Sequence, residues 1–390
     1  MGAPYLNDKL QGFGTSIFAE MSALAVSTNS INLGQGFPDT DGPAEILEAA
    51  IEAIRAGRGN QYPPAPGVPE LRRAIAEHQR RFYGIELDPD HEVLVTAGAT
   101  EAIAAALLSL LNTGDECIVF EPFYDSYPAC VAMAGARSVP VTLRAPDFVV
   151  DPDELRSAIT PRTTLIILNS PHNPTGTVLG REALQSIADI AIEHDLLVLA
   201  DEAYEHVTFD GAVHIPISTL PGMASRTLTV GSAGKTFSFT GWKVGWVTAS
   251  PELVTAVRTA KQFLTFVASG PFQYAVASGL ALDDSYFTGF AAQLQAKRNL
   301  LLAGLESAGF RVFSPRGTYF VTTDISPLGD DDALTFCRSL PERCGVVAVP
   351  NSVFYLNSER GRSFVRFAFC KKEAIITEAA ARLRSIPGRR

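Results

Sequence analysis

From residue 42 to about residue 285 the chain alternates short apolar runs rich in β-branched residues with longer stretches of helical periodicity, and few architectures accept that alternation. The runs at 92–96, 116–120, 137–142, 165–168, 197–200, 227–230 and 244–248 read as strands. Several of them, 165–168 and 197–200 above all, are continuously apolar, which fits strands covered on both faces in a parallel sheet. The expectation is an α/β fold whose large domain, 42–285, carries a mostly parallel seven-stranded sheet flanked by helices. Further on, 310–313, 319–322, 346–349 and 364–369 read as strands of a small α+β domain, 286–390, entered through a long amphipathic helix at 286–308. Residues 1–41 read as a segment that joins the small domain or a subunit contact. Asp151 is expected to cap a helix at 151–159 with Pro152 at its first position, 251–264 is expected to be helical, and Gly270-Pro271 to interrupt the stretch beyond it.

At 390 residues the chain has room for two sizeable cores, and its 46% apolar content is that of a globular enzyme. A formal net charge of -10 argues against nucleic acid or an anionic membrane as partner. No apolar leader follows Asp8 and Lys9, and no run is long enough to span a bilayer, so a soluble cytoplasmic protein is expected. Cys117, Cys130, Cys337, Cys344 and Cys370 show no paired spacing, which fits reduced thiols. The six histidines are scattered, and no metal site is expected.

Chemistry concentrates where the strand candidates end. The 197–200 run opens into Asp201-Glu202-Ala203-Tyr204, and carboxylates just past a buried strand sit where open α/β sheets bind ligands. The 165–168 run opens into Asn169-Ser170-Pro171-His172-Asn173-Pro174, a rigid loop that places Asn173 to hydrogen-bond a ligand. The 92–96 run leads through Ala97-Gly98-Ala99-Thr100 into a helix whose free N–H groups form an anion site, although an ordinary helix cap explains the same residues. Lys235 lies in the small-residue turn Ser232-Ala233-Gly234-Lys235, with Lys243 eight residues on. An exposed turn is the plain reading of Lys235. A partly desolvated amine, pKa lowered and able to form a Schiff base with a carbonyl cofactor, is the reading the other strand ends favour.

Together these segments resemble the class I and II aminotransferases, pyridoxal 5'-phosphate enzymes of fold type I. The likeness runs from Asn32-Leu33-Gly34-Gln35-Gly36-Phe37-Pro38-Asp39 to Val365-Arg366-Phe367-Ala368-Phe369. It implies that Lys235 holds the cofactor covalently and then moves the substrate proton, and that Asp201 pairs with the ring nitrogen. It further implies hydrogen bonds from Asn173 and Tyr204 to the ring oxygen, and stacking by Phe123. The phosphate would be held by backbone at Ala99 and Thr100, by Ser232 and Lys243, and by Tyr62 reaching across a homodimer. Arg366 would grip the substrate α-carboxylate, with Gly36 and Asn173 beside it. Phe123 and Lys243 stand where many relatives have Trp or Tyr and Arg. Both choices, with Asn60-Gln61-Tyr62 and Glu121-Pro122-Phe123-Tyr124-Asp125, resemble the kynurenine, glutamine and methionine branch and the actinobacterial-type N-succinyl-diaminopimelate aminotransferases.

The activity so implied is transfer of an amino group from an L-amino acid to a 2-oxo acid such as 2-oxoglutarate. The alternative is a cysteine-S-conjugate β-lyase on the same cofactor. Lys261, Arg316 and Lys243 are the candidate cations for a second anionic end of the substrate. Phe13, Ile17, Phe18, Tyr62, Phe123, Tyr124, Phe266 and Tyr319 are candidates for an apolar side-chain pocket or for core.

Overall fold

A computed structural model describes residues 5–14 and 16–386; residues 1–4 and Thr15 of the expected N-terminal segment lie outside the described residues. Its centre is a seven-stranded sheet of β1 (Val93–Thr96), β2 (Glu116–Glu121), β3 (Arg137–Thr142), β4 (Thr163–Asn169), β5 (Leu197–Asp201), β6 (Thr227–Ser232) and β7 (Gly245–Thr248). The strands lie in the order β1-β7-β6-β5-β4-β2-β3. All neighbours run parallel except β7, which is antiparallel to both β6 and β1.

Alternating side chains of these strands feed two cores. Cys117, Val119, Leu165, Ile167 and Leu199 pack with Ala102, Ala106, Val254 and Val257, residues of the helices Ala99–Leu110 and Pro251–Leu264. Ile118, Phe120, Ile166, Leu168 and Val198 point the other way, onto Leu184, Ile187 and Ala191 of the helix Arg181–Glu193. Burying each Val, Leu or Ile contributes about 1.5–3 kcal/mol, so covering both faces is what the continuous apolar runs require.

Helix Asp284–Ser307 leads into a four-stranded antiparallel sheet, β8 (Arg311–Phe313), β9 (Phe320–Asp324), β10 (Val349–Pro350) and β11 (Phe364–Ala368), in the order β10-β11-β9-β8. Ile31–Asn32 pairs in parallel with Val346–Val347, so the early chain is stitched to the late one. Asp151 caps the helix Pro152–Ser157 by accepting hydrogen bonds from the backbone N–H groups of Asp153 and Glu154. Gly270-Pro271 opens the helix Gly270–Leu280 instead of interrupting one. Proline in the first turn loses no intrahelical hydrogen bond, because those N–H groups have no partner in any helix. Among the described residues no helix is long and apolar enough to cross a membrane.

Candidate active site at the strand ends

Three parallel strands end side by side, and their last residues are Asn169, Asp201 and Ser232. They open on a cavity of about 300 Å³. Ala99, Thr100, Asn173, Asp201, Tyr204 and Ser232 line it, as do Lys235, Lys243, Gly36 and Arg366, so groups spread over 330 residues of chain converge on one space.

Asp201 is held rigidly. Its Oδ2 accepts from the Tyr127 hydroxyl at 2.6 Å and its Oδ1 from the Ala203 N–H at 3.2 Å, while its carbonyl accepts from Asn169 Nδ2 at 2.8 Å. Burial pushes the Asp201 carboxyl above the usual range, and the Tyr127 and Ala203 hydrogen bonds oppose the rise. Asn169 also accepts from the Asn173 N–H at 2.8 Å, which sets the loop after β4.

Lys235 lies in the single helical turn Ala233–Thr236 that follows β6. Its Nζ donates to the Tyr319 hydroxyl at 3.0 Å and lies 3.5 Å from the Gly36 carbonyl, which accepts from Tyr319 at 2.6 Å. Burial pulls the amine down to about 8. A side chain at Gly36 would put its Cβ 2.4 Å from the Phe320 ring, so only glycine brings that carbonyl so close to the amine.

Across the cavity the helix Ala99–Leu110 begins after Gly98, whose φ of +80° favours glycine. A Cβ there would meet Lys243 Nζ at 3.2 Å, so the lysine lies directly against the turn that exposes the helix N–H groups. The Lys243 ammonium, the Ser232 hydroxyl and the helix N-terminus line one side of the cavity, a set of groups able to hold a phosphate.

Arg366, in the middle of β11, is 2% exposed. It donates to Asn173 Oδ1 at 2.9 Å and to the Gly34 carbonyl at 3.1 Å, and its carbon lies 3.9 Å from the Phe320 ring centre. Its Nε has no hydrogen-bond partner among the described residues, and burial lowers its pKa to about 10. A buried guanidinium whose hydrogen bonds go to neutral oxygens is a site waiting for an anion.

Two placements differ from the expectation. Phe123 is buried in the core with Tyr127 and Val131 and does not reach the cavity, whose wall is formed by the next residue, Tyr124. The Phe123 N–H donates to the Phe354 carbonyl at 2.9 Å, and this bond fixes which ring turns inward. Tyr62 is 80% exposed, lies edge-on to Phe266, and is not among the residues lining the cavity of its own chain. Of the candidate cations only Lys243 lines the cavity: buried Lys261 donates to the Phe266 carbonyl, and Arg316 reaches the Asp210 carbonyl. The Tyr127 contact to Asp201 and the bracing by Asn169 leave no mark in the sequence, because each joins residues 32 to 74 positions apart.

A buried carboxylate, a softened lysine and an anion cradle on one parallel sheet define the fold type I pyridoxal-phosphate enzymes, and the residues present fit that cofactor. The aminotransferase class I and II family matches residues 28–383, and this chain belongs to it. A probable N-succinyldiaminopimelate aminotransferase of Mycobacterium tuberculosis is 50% identical over 386 residues, covering 96% of this chain and 97% of that one. The solved structure of the N-succinyldiaminopimelate aminotransferase from that organism superposes with a TM-score of 0.96, covering 98% of this chain and 100% of that one. Methionine aminotransferase of Escherichia coli is 38% identical, with 97% of each chain covered. The chain is a pyridoxal-phosphate-dependent aminotransferase, and amino transfer is favoured over β-elimination.

Proposed function

We propose that this aminotransferase takes its amino group from N-succinyldiaminopimelate and passes it to 2-oxoglutarate, with Lys235 carrying the cofactor. One observation carries the reading of the site: the enclosed Lys235 amine and the buried Arg366 guanidinium, which makes no ion pair among the described residues, face the same cavity as Asp201. When bound, pyridoxal phosphate supplies an electrophilic carbonyl carbon and a ring that takes up the electron pair left as the α-proton departs.

The protein's own groups do the rest. Arg366 forks onto the substrate α-carboxylate and, with Asn173, fixes the α-carbon. Lys235 Nζ, neutral above about pH 8, is the base that removes the α-proton and returns it. The Tyr319 hydroxyl and Gly36 carbonyl hold that nitrogen when it is not engaged. Asp201 keeps a proton on the cofactor's ring nitrogen through a preorganised contact. With the cofactor bound, Tyr204 and the Asn173 amide would hold the ring oxygen, Tyr124 would take the stacking role expected of Phe123, and Ala99, Thr100, Ser232 and Lys243, which all line the cavity, would hold the phosphate.

The donor is supported by 50% identity to the mycobacterial protein against 38% to the methionine enzyme. A homodimer in which Tyr62 completes the neighbouring phosphate site is part of the same proposal. The exposure of Tyr62, Phe263 and Phe266, three large apolar side chains, supports a covered surface there. So is a chain divided into a segment 1–41, a cofactor domain 42–285 and a small domain 286–390. A cytoplasmic setting fits the five free cysteines. The test is a donor panel of N-succinyldiaminopimelate, methionine, kynurenine and glutamine read by kcat/KM with 2-oxoglutarate. A dominant succinylated donor is expected; broad turnover of the sulfur and aromatic donors contradicts the assignment.

A further inference from the structure

The segment that follows Asp201 leaves the active site through Glu205 and His206 and meets the helix Pro69–Tyr83 at His78. His78 Nε2 and His206 Nε2 stand 2.7 Å apart. A carboxylate oxygen of Glu205 completes a set of three donor atoms that all lie within 4.8 Å of one another. Phe82 and Phe287 close round the two imidazoles, with ring centres 4.4 to 5.9 Å from theirs. His78 and Glu205 are 1% and 6% exposed, while His206 is half-buried and gives the cluster a way in from solvent.

The charges and donors around this cluster, Tyr83, Gln79 and His214 among them, leave one carboxylate oxygen unmatched. His214 pairs with Glu202 at 2.9 Å, and Arg81 pairs with Asp284. Glu205 has no such ion pair among the described residues, and its Oε2 has no hydrogen-bond partner. An unpartnered oxygen on a buried acid is costly, and a cation removes that cost.

The geometry points to a divalent-cation site of the zinc class at His78, Glu205 and His206, with solvent as fourth ligand. Two imidazoles and one carboxylate suit Zn²⁺, whereas Mg²⁺ and Ca²⁺ call for oxygen ligands throughout. The two Nε2 atoms share one hydrogen bond, so taking up an ion requires the donor ring to carry its proton on Nδ1 instead, which leaves a lone pair on both Nε2 atoms. At a Zn–N distance of about 2.0–2.1 Å the two nitrogens of a tetrahedral site lie about 3.3 Å apart, so the imidazoles need to separate by only about 0.6 Å. The ion ties the helix Pro69–Tyr83 to the segment just beyond Asp201 and Tyr204. It is a structural staple outside the catalytic cavity.

The test uses the holoenzyme, stripped with a chelator and titrated with Co²⁺ and with Zn²⁺. One ion per chain is expected, with the intense visible bands of tetrahedral cobalt, and Zn²⁺ should raise the thermal midpoint. Glu205→Gln and His206→Gln, checked for circular dichroism and cofactor content, should each weaken binding at least tenfold. Absence of binding, equal binding by the folded variants, or the weak bands of octahedral all-oxygen cobalt overturns the site. The cobalt spectrum of the unaltered enzyme decides the question even if neither variant folds.

Discussion

The Tyr127 hydroxyl donates to Asp201 Oδ2 at 2.6 Å, joining the helix after β2 to the acid at the end of β5. Burial alone favours a protonated Asp201, and a protonated acid cannot keep a positive ring nitrogen in place. Tyr127 works against that rise. Removing its hydroxyl should therefore raise the Asp201 pKa further. Tyr127→Phe is expected to lower kcat about tenfold, the worth of one charge-assisted hydrogen bond, with KM nearly unchanged. Asp201→Ala should cost about a hundredfold or more even when saturated with cofactor. Steady-state kinetics check both, and near-full turnover by cofactor-loaded Asp201→Ala contradicts the role.

In the proposed role Arg366 grips a group common to all substrates, so Arg366→Ala should reduce kcat/KM by roughly tenfold to a hundredfold for every donor and every oxo acid. Arg366→Lys should recover little, because an ammonium cannot reproduce the planar fork that reaches Asn173 and a carboxylate together. A loss confined to one donor would show that Arg366 meets a side chain instead.

The Lys235 amine sets a pH dependence whose sign is fixed by the direction of its shift. Its pKa is lowered by burial from 10.5 to about 8, so the reactive neutral form grows as pH rises and saturates above about 8. The rate at which cofactor-free enzyme captures pyridoxal phosphate should rise about tenfold per pH unit below that point and level off beyond it. Stopped-flow absorbance measures this, and a rate still climbing toward 10.5 would mean an ordinary exposed lysine.

Most of the sheet was legible because strands buried on both faces need apolar runs, and 165–168 and 197–200 are unbroken ones, while the edge strand at 137–142 shows only a broken run. Asp201 was legible for a related reason, since it follows a buried strand and so lies at the ligand-binding edge, whereas Ser232 was singled out by the small-residue turn before Lys235 and only the structure shows that it ends a strand. Tyr124 was not. Beyond β2 the two-residue alternation stops, and the choice between Phe123 and Tyr124 is made by a backbone bond to Phe354, 231 residues away. The histidines look scattered for a similar reason: His78 and His206 are 128 positions apart and meet only because the helix Pro69–Tyr83 packs beside the segment after β5.

The proposed composite sites predict complementation. Tyr62→Ala and Lys235→Ala chains, mixed under conditions that exchange subunits, should regenerate up to about one quarter of wild-type activity by random assortment in a two-fold dimer. No recovery despite exchange, or a fully active monomer in sedimentation, rules out the shared site.

Borohydride reduction followed by peptide mass spectrometry finds which lysine bears the cofactor. The pyridoxyl mass should fall on Lys235, and Lys235→Ala should keep its fold and lose the adduct. An adduct on Lys243, Lys261 or any other lysine of the reduced wild-type enzyme would contradict the account.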